Sequence, residues 1–175
     1  MSKSYDDLVK RYPLLFNLGE GSQEPFALFG FECDIGWYNL ISVACEQIYK
    51  NYYGTLRSYE FWEKAKPSDN FTQEKIDSNI ETAKKLMEEE KEKLPVFVQI
   101  KEKFGSLRLY MDNADERANA IASTVEALSE RTCEYCGDSG MTYALGWHRT
   151  LCSKHAESTY SKETLEKYRK VINSN

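Results

Sequence analysis

The chain of 175 residues has little proline, four in all, and only two histidines. Nowhere does it string together the 18 apolar residues that a membrane-crossing helix needs. The opening stretch MSKSYDDLVKRYPLLF holds no apolar run long enough for a secretory signal. There is no internal repeat, no low-complexity segment and no surplus of basic residues: 23 Lys and Arg stand against 28 Asp and Glu, for a net charge of −5. That balance repels polyphosphate at long range and argues against general nucleic-acid coating. The groupings that carry catalysis are also missing, since no Ser-His-Asp set and no phosphate-loop pattern of glycines occurs. The expectation is a non-enzymatic protein of a reducing cytoplasm with no membrane partner. Only Glu32, Cys33 and Asp34 are left to carry an enzyme activity.

What is present is enough for one core, with 41% hydrophobic and 13% aromatic residues. Residues 4–12 read as a short helix stopped by Pro13, with YPLLF as an apolar connector and NLGEGSQEP as a polar loop. From Ile35 to Tyr53, apolar residues including Trp37, Ile41, Cys45 and Ile48 recur at three- and four-residue spacing. Asp34 stands where a cap is wanted and Gly54 where a helix ends. YEFWEKAK reads as a separate helical turn before Pro67. From Phe71 to Lys93, Ile76, Ile80, Ala83 and Met87 make a narrow stripe, and the acidic tail EEEKEK reads as a solvated face with pairs such as Glu81–Lys85. A β segment follows Pro95, and DNADE caps a helix that buries Ala118, Ala122 and Val125. The last helix, from about Ser161, presents Leu165, Tyr168 and Ile172 for docking.

Within the β segment the alternation breaks once. Val96, Val98 and Ile100 occupy even positions, while Leu107, Leu109 and Met111 occupy odd ones. Either a hairpin with Phe104-Gly105 at its tip or one strand bulged at Gly105 reconciles the two series. Both place Lys101, Lys103, Arg108 and Tyr110 on the face opposite the apolar residues, because side chains alternate with a period of two. Three cations on one face form a candidate anion site, in which Arg108 forks onto a phosphate or carboxylate and the lysines add charge. Each charge-assisted bond contributes about 1.5–3 kcal/mol. Phe104 at the tip reads as packed into the core, and Phe97 falls on the basic face. Phe104, Phe97, Trp37 or Tyr38 would stack a purine if one of them lay beside Arg108. At the opening of the main helix Gly36 permits close backbone approach to a ligand, where first-turn N–H groups favour an anion unless Asp34 caps them. Cys45 reads as a core thiol, and Cys33 as reactive only if exposed among positive charges.

The strongest motif is Cys133-x2-Cys136-x15-Cys152-x2-His155, two tight pairs that each aim two donors at one point. Four such donors close a tetrahedron around Zn²⁺, which makes the ion structural. Gly137 permits the knuckle turn, and the residues between the pairs fold back about Gly146. His148 reads as a surface residue or as a hydrogen-bond partner of a metal ligand, not as a ligand itself. The fold expected is α+β: a small antiparallel sheet packed by helices in residues 1–131, then a zinc-ribbon or treble-clef-like knuckle and docking helix in 132–175.

KEKFGSLRLY, CEYCGDSG and GWHRTLC, with the upstream YPLLF and CDIGWYNLI, together resemble a family of small proteins encoded by bacteriophages and prophages. The resemblance spans most of the chain apart from the charged helix. It departs at Asp34-Ile35-Gly36, where the family pattern has Gly-Asp-Gly ahead of the tryptophan. It implies an accessory protein acting in the cytoplasm of a bacterial host, where such proteins counter defence or adjust host machinery. The first functional expectation is capture of a small anionic, nucleotide-like ligand by Lys101, Lys103, Phe104, Arg108, Tyr110 and Trp37. The alternative is an adaptor that grips a host protein through the zinc module and the exposed aromatics Trp147 and Tyr143.

Overall fold

The computed structural model describes residues 4–17, 26 and 29–173, with side chains as far as residue 168 in the last helix. The predicted polar loop lies, beyond Asn17, outside the described residues, as does the side chain of Ile172.

Helix α1 (Tyr5–Arg11) begins where the Ser4 hydroxyl accepts from the Asp6 N–H. Pro13 ends it and at once opens a second turn, α2 (Pro13–Phe16), because a first helical position needs no N–H. The apolar YPLLF stretch is therefore helical rather than a connector, and Leu15 and Phe16 are fully buried.

After the two-residue strand β1 (Phe31–Glu32), a single 3-10 turn (Ile35–Trp37) leads into α3 (Tyr38–Lys64). Asp34 makes no side-chain cap. The helix does not end at Gly54; it runs on through the YEFWEK stretch. A mid-helix glycine costs only about 1 kcal/mol, and Tyr52, Leu56 and Tyr59 on either side join the core cluster. Helix α4 (Gln73–Glu92) packs along α3 and starts at Thr72, whose hydroxyl accepts from the Lys75 N–H. Its tail is solvated, with exposed pairs Lys85–Glu89, Glu88–Lys91 and Glu90–Lys93 rather than the predicted Glu81–Lys85.

The β segment is a hairpin. Strands β2 (Val96–Lys103) and β3 (Ser106–Asp112) are antiparallel, and β1 lies parallel to β2 on its other side. The sheet is thus small and mixed, within an α+β fold. Ile100 faces Leu109 as the alternation requires, but Val98 does not face Met111. A bulge between Phe97 and Gln99 sets Phe97 opposite Met111 and turns its ring into the core instead of onto the basic face. Beyond Asp112, α5 (Glu116–Ser129) closes the sheet edge. Its Ser129 hydroxyl accepts from the Leu107 N–H, and its Glu126 carboxylate from the Leu109 N–H, each at 2.8 Å. Two ladder groups that an edge strand would leave open are satisfied by side chains.

A second hairpin, β4 (Met141–Leu145) and β5 (Trp147–Leu151), turns at Gly146 and leads into α6 (Ser153–Thr159) and α7 (Lys162–Asn173). Cys133, Tyr143, Leu151, Cys152, Ala156 and Leu165 form their own buried cluster. Tyr143 is inside it, against Tyr160 and Tyr168, and is not the exposed ring anticipated from sequence. The two clusters are joined by one backbone bond, Gly36 N–H to Glu134 C=O at 2.7 Å, and by one side-chain bond, Trp37 Nε1–H to Thr132 C=O at 2.8 Å.

Candidate metal centre and the neighbouring cleft

The Cys133–Cys136 pair sits on a tight turn in which Gly137, at φ 82°, donates its N–H to the Cys133 carbonyl. Cys152 is the cap of α6 and His155 lies in its first turn. The four donor atoms lie within 4.8 Å of one another, a set that can hold a metal ion. Cys136 Sγ and Cys152 Sγ are 3.8 Å apart, which matches the edge of a tetrahedron whose centre is about 2.3 Å from each sulfur. His155 Nδ1 is 3.3 Å from Cys133 Sγ and 3.2 Å from Cys152 Sγ. Cys133 and Cys152 are buried, while Cys136 faces solvent.

The other two cysteines are unpaired and inert. Burial pushes the Cys45 thiol up to about 12. Burial does the same to Cys33, helped by the charges of Glu134, Asp34 and Glu32 and opposed by a hydrogen bond with the Tyr5 hydroxyl. A thiol surrounded by carboxylates does not ionise near neutrality.

On the hairpin face, Lys101 stands opposite Arg108 and Tyr110 opposite Gln99, so the two cations and the ring share one side; Lys103 pairs with Ser106. The guanidinium of Arg108 donates to the Leu107 carbonyl at 2.8 Å and lies 3.9 Å from Glu126. Lys101 lies over the Tyr110 ring and Lys103 over the Phe104 ring. Trp37 is not beside them. It is fully buried at the junction with the metal module and is out of reach of a surface ligand. Its place on the apolar stripe of the main helix already carried that signal.

Phe104 is the opposite case. Predicted to pack in the core, it is 70% exposed, at φ 55° and followed by Gly105 at φ 79°. The tip of the first hairpin meets the second: the Thr150 hydroxyl donates to the Gly105 carbonyl at 2.5 Å. Across the meeting point stands Trp147, 69% exposed. A notch of about 280 Å³ separates the rings, lined also by Glu102, Lys103, Gly146 and His148. A second cleft of about 360 Å³ shares Trp147 and Glu102 and adds Glu32, Cys33, Asp34, Glu134 and Arg149. Burial, with smaller contributions from Asp34 and Glu102, raises the Glu134 carboxyl to about 7 against the lowering effect of the Asp34 N–H. Arg149 lines the same cleft, where its charge acts to lower the Glu134 carboxyl, and its guanidinium also meets the hydroxyl and ring of Tyr135.

Glu134 and Arg149 had no signal of their own in the sequence as cleft residues. Glu134 sits between two of the candidate metal donors and Arg149 on β5, and only packing brings them to Glu32 and Glu102. Comparison with protein-family models, with curated proteins and with solved structures finds no match. Among the described residues no helix is long and apolar enough to cross a membrane.

Proposed function

We propose that the chain is a non-enzymatic binding protein, stabilised by a structural zinc ion, that engages a partner protein through the paired tips of its two hairpins. The observation that carries this reading is Phe104. A bulky residue in the left-handed region costs about 1–2 kcal/mol, and exposing its ring forfeits burial as well. Among the described residues the ring interactions of Phe104 are with the Lys103 ammonium and the edge of His148, both at the surface. Strain and apolar exposure at one residue, facing a second exposed ring on another hairpin, are what a docking surface requires.

Three thiolates and an imidazole are the donors zinc takes in closed structural sites. With four protein ligands no position is left for a reacting water. The order of knuckle, hairpin and ligand-bearing helix makes the module treble-clef-like. In the phage or prophage setting that the sequence resemblance implies, the partner is a host protein in the bacterial cytoplasm.

A second reading keeps one observation of its own, the opposition of Lys101 and Arg108 beside the exposed Tyr110. It is capture of a nucleotide-like anion on that strand face. Affinity capture from bacterial lysate separates the two. A stoichiometric protein partner that is retained by Arg108→Ala and lost from Trp147→Ala supports docking at the tips. Loss from neither variant, with a nucleotide that raises Tm only while Arg108 is present, overturns it.

A further inference from the structure

We infer that the four-donor centre is also an oxidation switch for the docking surface: hydrogen peroxide joins Cys136 to Cys152 as a disulfide, the ion leaves, and the second hairpin releases its tip. The inference rests on the readings of the donors as a zinc site and of the paired tips as a docking surface, and adds how that surface is regulated.

The donors differ in access. Cys133 and Cys152 are buried and His155 is half-buried, whereas Cys136 faces solvent on the knuckle turn. An oxidant therefore meets Cys136 first, because a sulfur reacts only where the oxidant reaches it. The sulfur 3.8 Å away, that of Cys152, belongs to a different element, the cap of α6. Cys45 is fully buried and Cys33 is half-buried against the Tyr5 hydroxyl, so neither offers an open sulfur in competition.

The chemistry balances with peroxide as the single oxidant. The Cys136 thiolate attacks one peroxide oxygen, the O–O bond breaks, and the departing hydroxide takes a proton from solvent. Cys136 is left as a sulfenic acid. The Cys152 thiolate then attacks that sulfur, an S–S bond forms, the S–OH bond breaks, and a second hydroxide is protonated. Two thiolates, one peroxide and two protons give one disulfide and two water molecules, with two electrons passing from sulfur to oxygen. Thiolates are the metal-binding form of cysteine, so the site falls from four donors to two.

One residue carries this change to the tips. Thr150, fully buried two positions before Cys152, accepts the Glu134 N–H on its carbonyl at 2.9 Å. Its hydroxyl donates to the Gly105 carbonyl at the tip of the first hairpin. Thr150 thus ties the knuckle between Cys133 and Cys136 to the place where Phe104 and Trp147 face each other across their notch. Opening the knuckle frees β5, and Trp147 with it.

The test adds a small excess of hydrogen peroxide to the zinc-loaded full chain, reads released zinc with a chromogenic chelator and locates disulfides by peptide mass spectrometry. The expected result is one zinc ion released per Cys136–Cys152 disulfide, with a change in the indole N–H resonance of Trp147 that a phosphine reductant plus zinc reverses. Cys136→His keeps four donors of a kind that zinc accepts and removes the open sulfur, so its zinc release should be slower by about tenfold or more. Zinc retained by the wild type, equal release from Cys136→His, a disulfide between Cys133 and Cys136, first oxidation at Cys33 or Cys45, or an indole resonance indifferent to zinc loss overturns the inference. Those results leave the zinc site and the docking surface standing. A chain that takes up no zinc overturns the inference and the zinc reading together, whereas a reversible switch in a chain that captures no host protein removes the docking surface and leaves the switch.

Discussion

The two hairpins of this protein, one turning on Phe104-Gly105 and the other on Gly146 alone, are held by different means. Residues Phe97, Ile100, Leu107 and Leu109 of the first are buried in the large cluster with Trp37, Ile41 and Val125, and α5 covers its edge. The second has a small cluster beneath it, and its ends run directly into the Cys133–Cys136 and Cys152–His155 pairs. One is anchored by area removed from water; the other, on the proposed metal site, would be anchored by a few directed bonds to a point. Anchoring by area is distributed, so single changes weaken it gradually. Anchoring by coordination is concentrated, and loss of the ion releases the whole element.

The largest effect should therefore come from the metal. Chelation, or Cys152→Ser, should collapse the backbone order of 132–160 while amide protection in β2, β3 and α3 persists. Ligation stabilises zinc-finger peptides by about 10–16 kcal/mol, far more than any substitution below. Hydrogen exchange checks this, and equal loss of protection in both hairpins would break the contrast. Next is Ile41→Ala, in a fully buried position of the large cluster. It should cost about 2–5 kcal/mol in denaturant unfolding with zinc affinity unchanged.

Gly36→Ala probes the junction. A Cβ there would overlap the carbonyl oxygens of Cys133 and Glu134, so overpacking should cost about 1–3 kcal/mol. Unlike the Ile41 change it should also weaken zinc binding, measured by competition with a chromogenic chelator. The smallest effect has the opposite sign. Phe104→Asn places a residue that tolerates φ 55° ahead of Gly105, giving the turn its preferred Asn-Gly pair. Stability should rise by about 1 kcal/mol, seen as a higher Tm, while capture of the partner falls. Gain of stability with capture intact would remove Phe104 from the docking surface.

How far each feature was legible follows from the range of the interaction that produces it. The helical stripe of Trp37, Ile41, Cys45 and Ile48 was readable, yet the end of α3 was not, because Gly54 is a weak local stop that tertiary contacts of Leu56 and Tyr59 override. Pro13 was read as a breaker when it also begins a helix. The hairpin register was readable from Ile100 and Leu109 onward to the tip. The bulge at Val98, which inverts Phe97, answers to the core beneath it and leaves no mark in the alternation. The metal donors were visible at once, since C-x2-C and C-x2-H each bring their own two atoms together.

Read unaided, the chain specified its ligand quartet, its one change of β phase and the sharing of a face by Lys101 and Arg108, all of which follow from spacing along a covalent backbone. Tertiary structure alone decided that Phe104 and Trp147 stand exposed across a notch, and that Glu32, Glu102 and Glu134 meet in one cleft. Positions up to about a hundred residues apart come together there, and their meeting depends on how the whole core packs rather than on any local pattern.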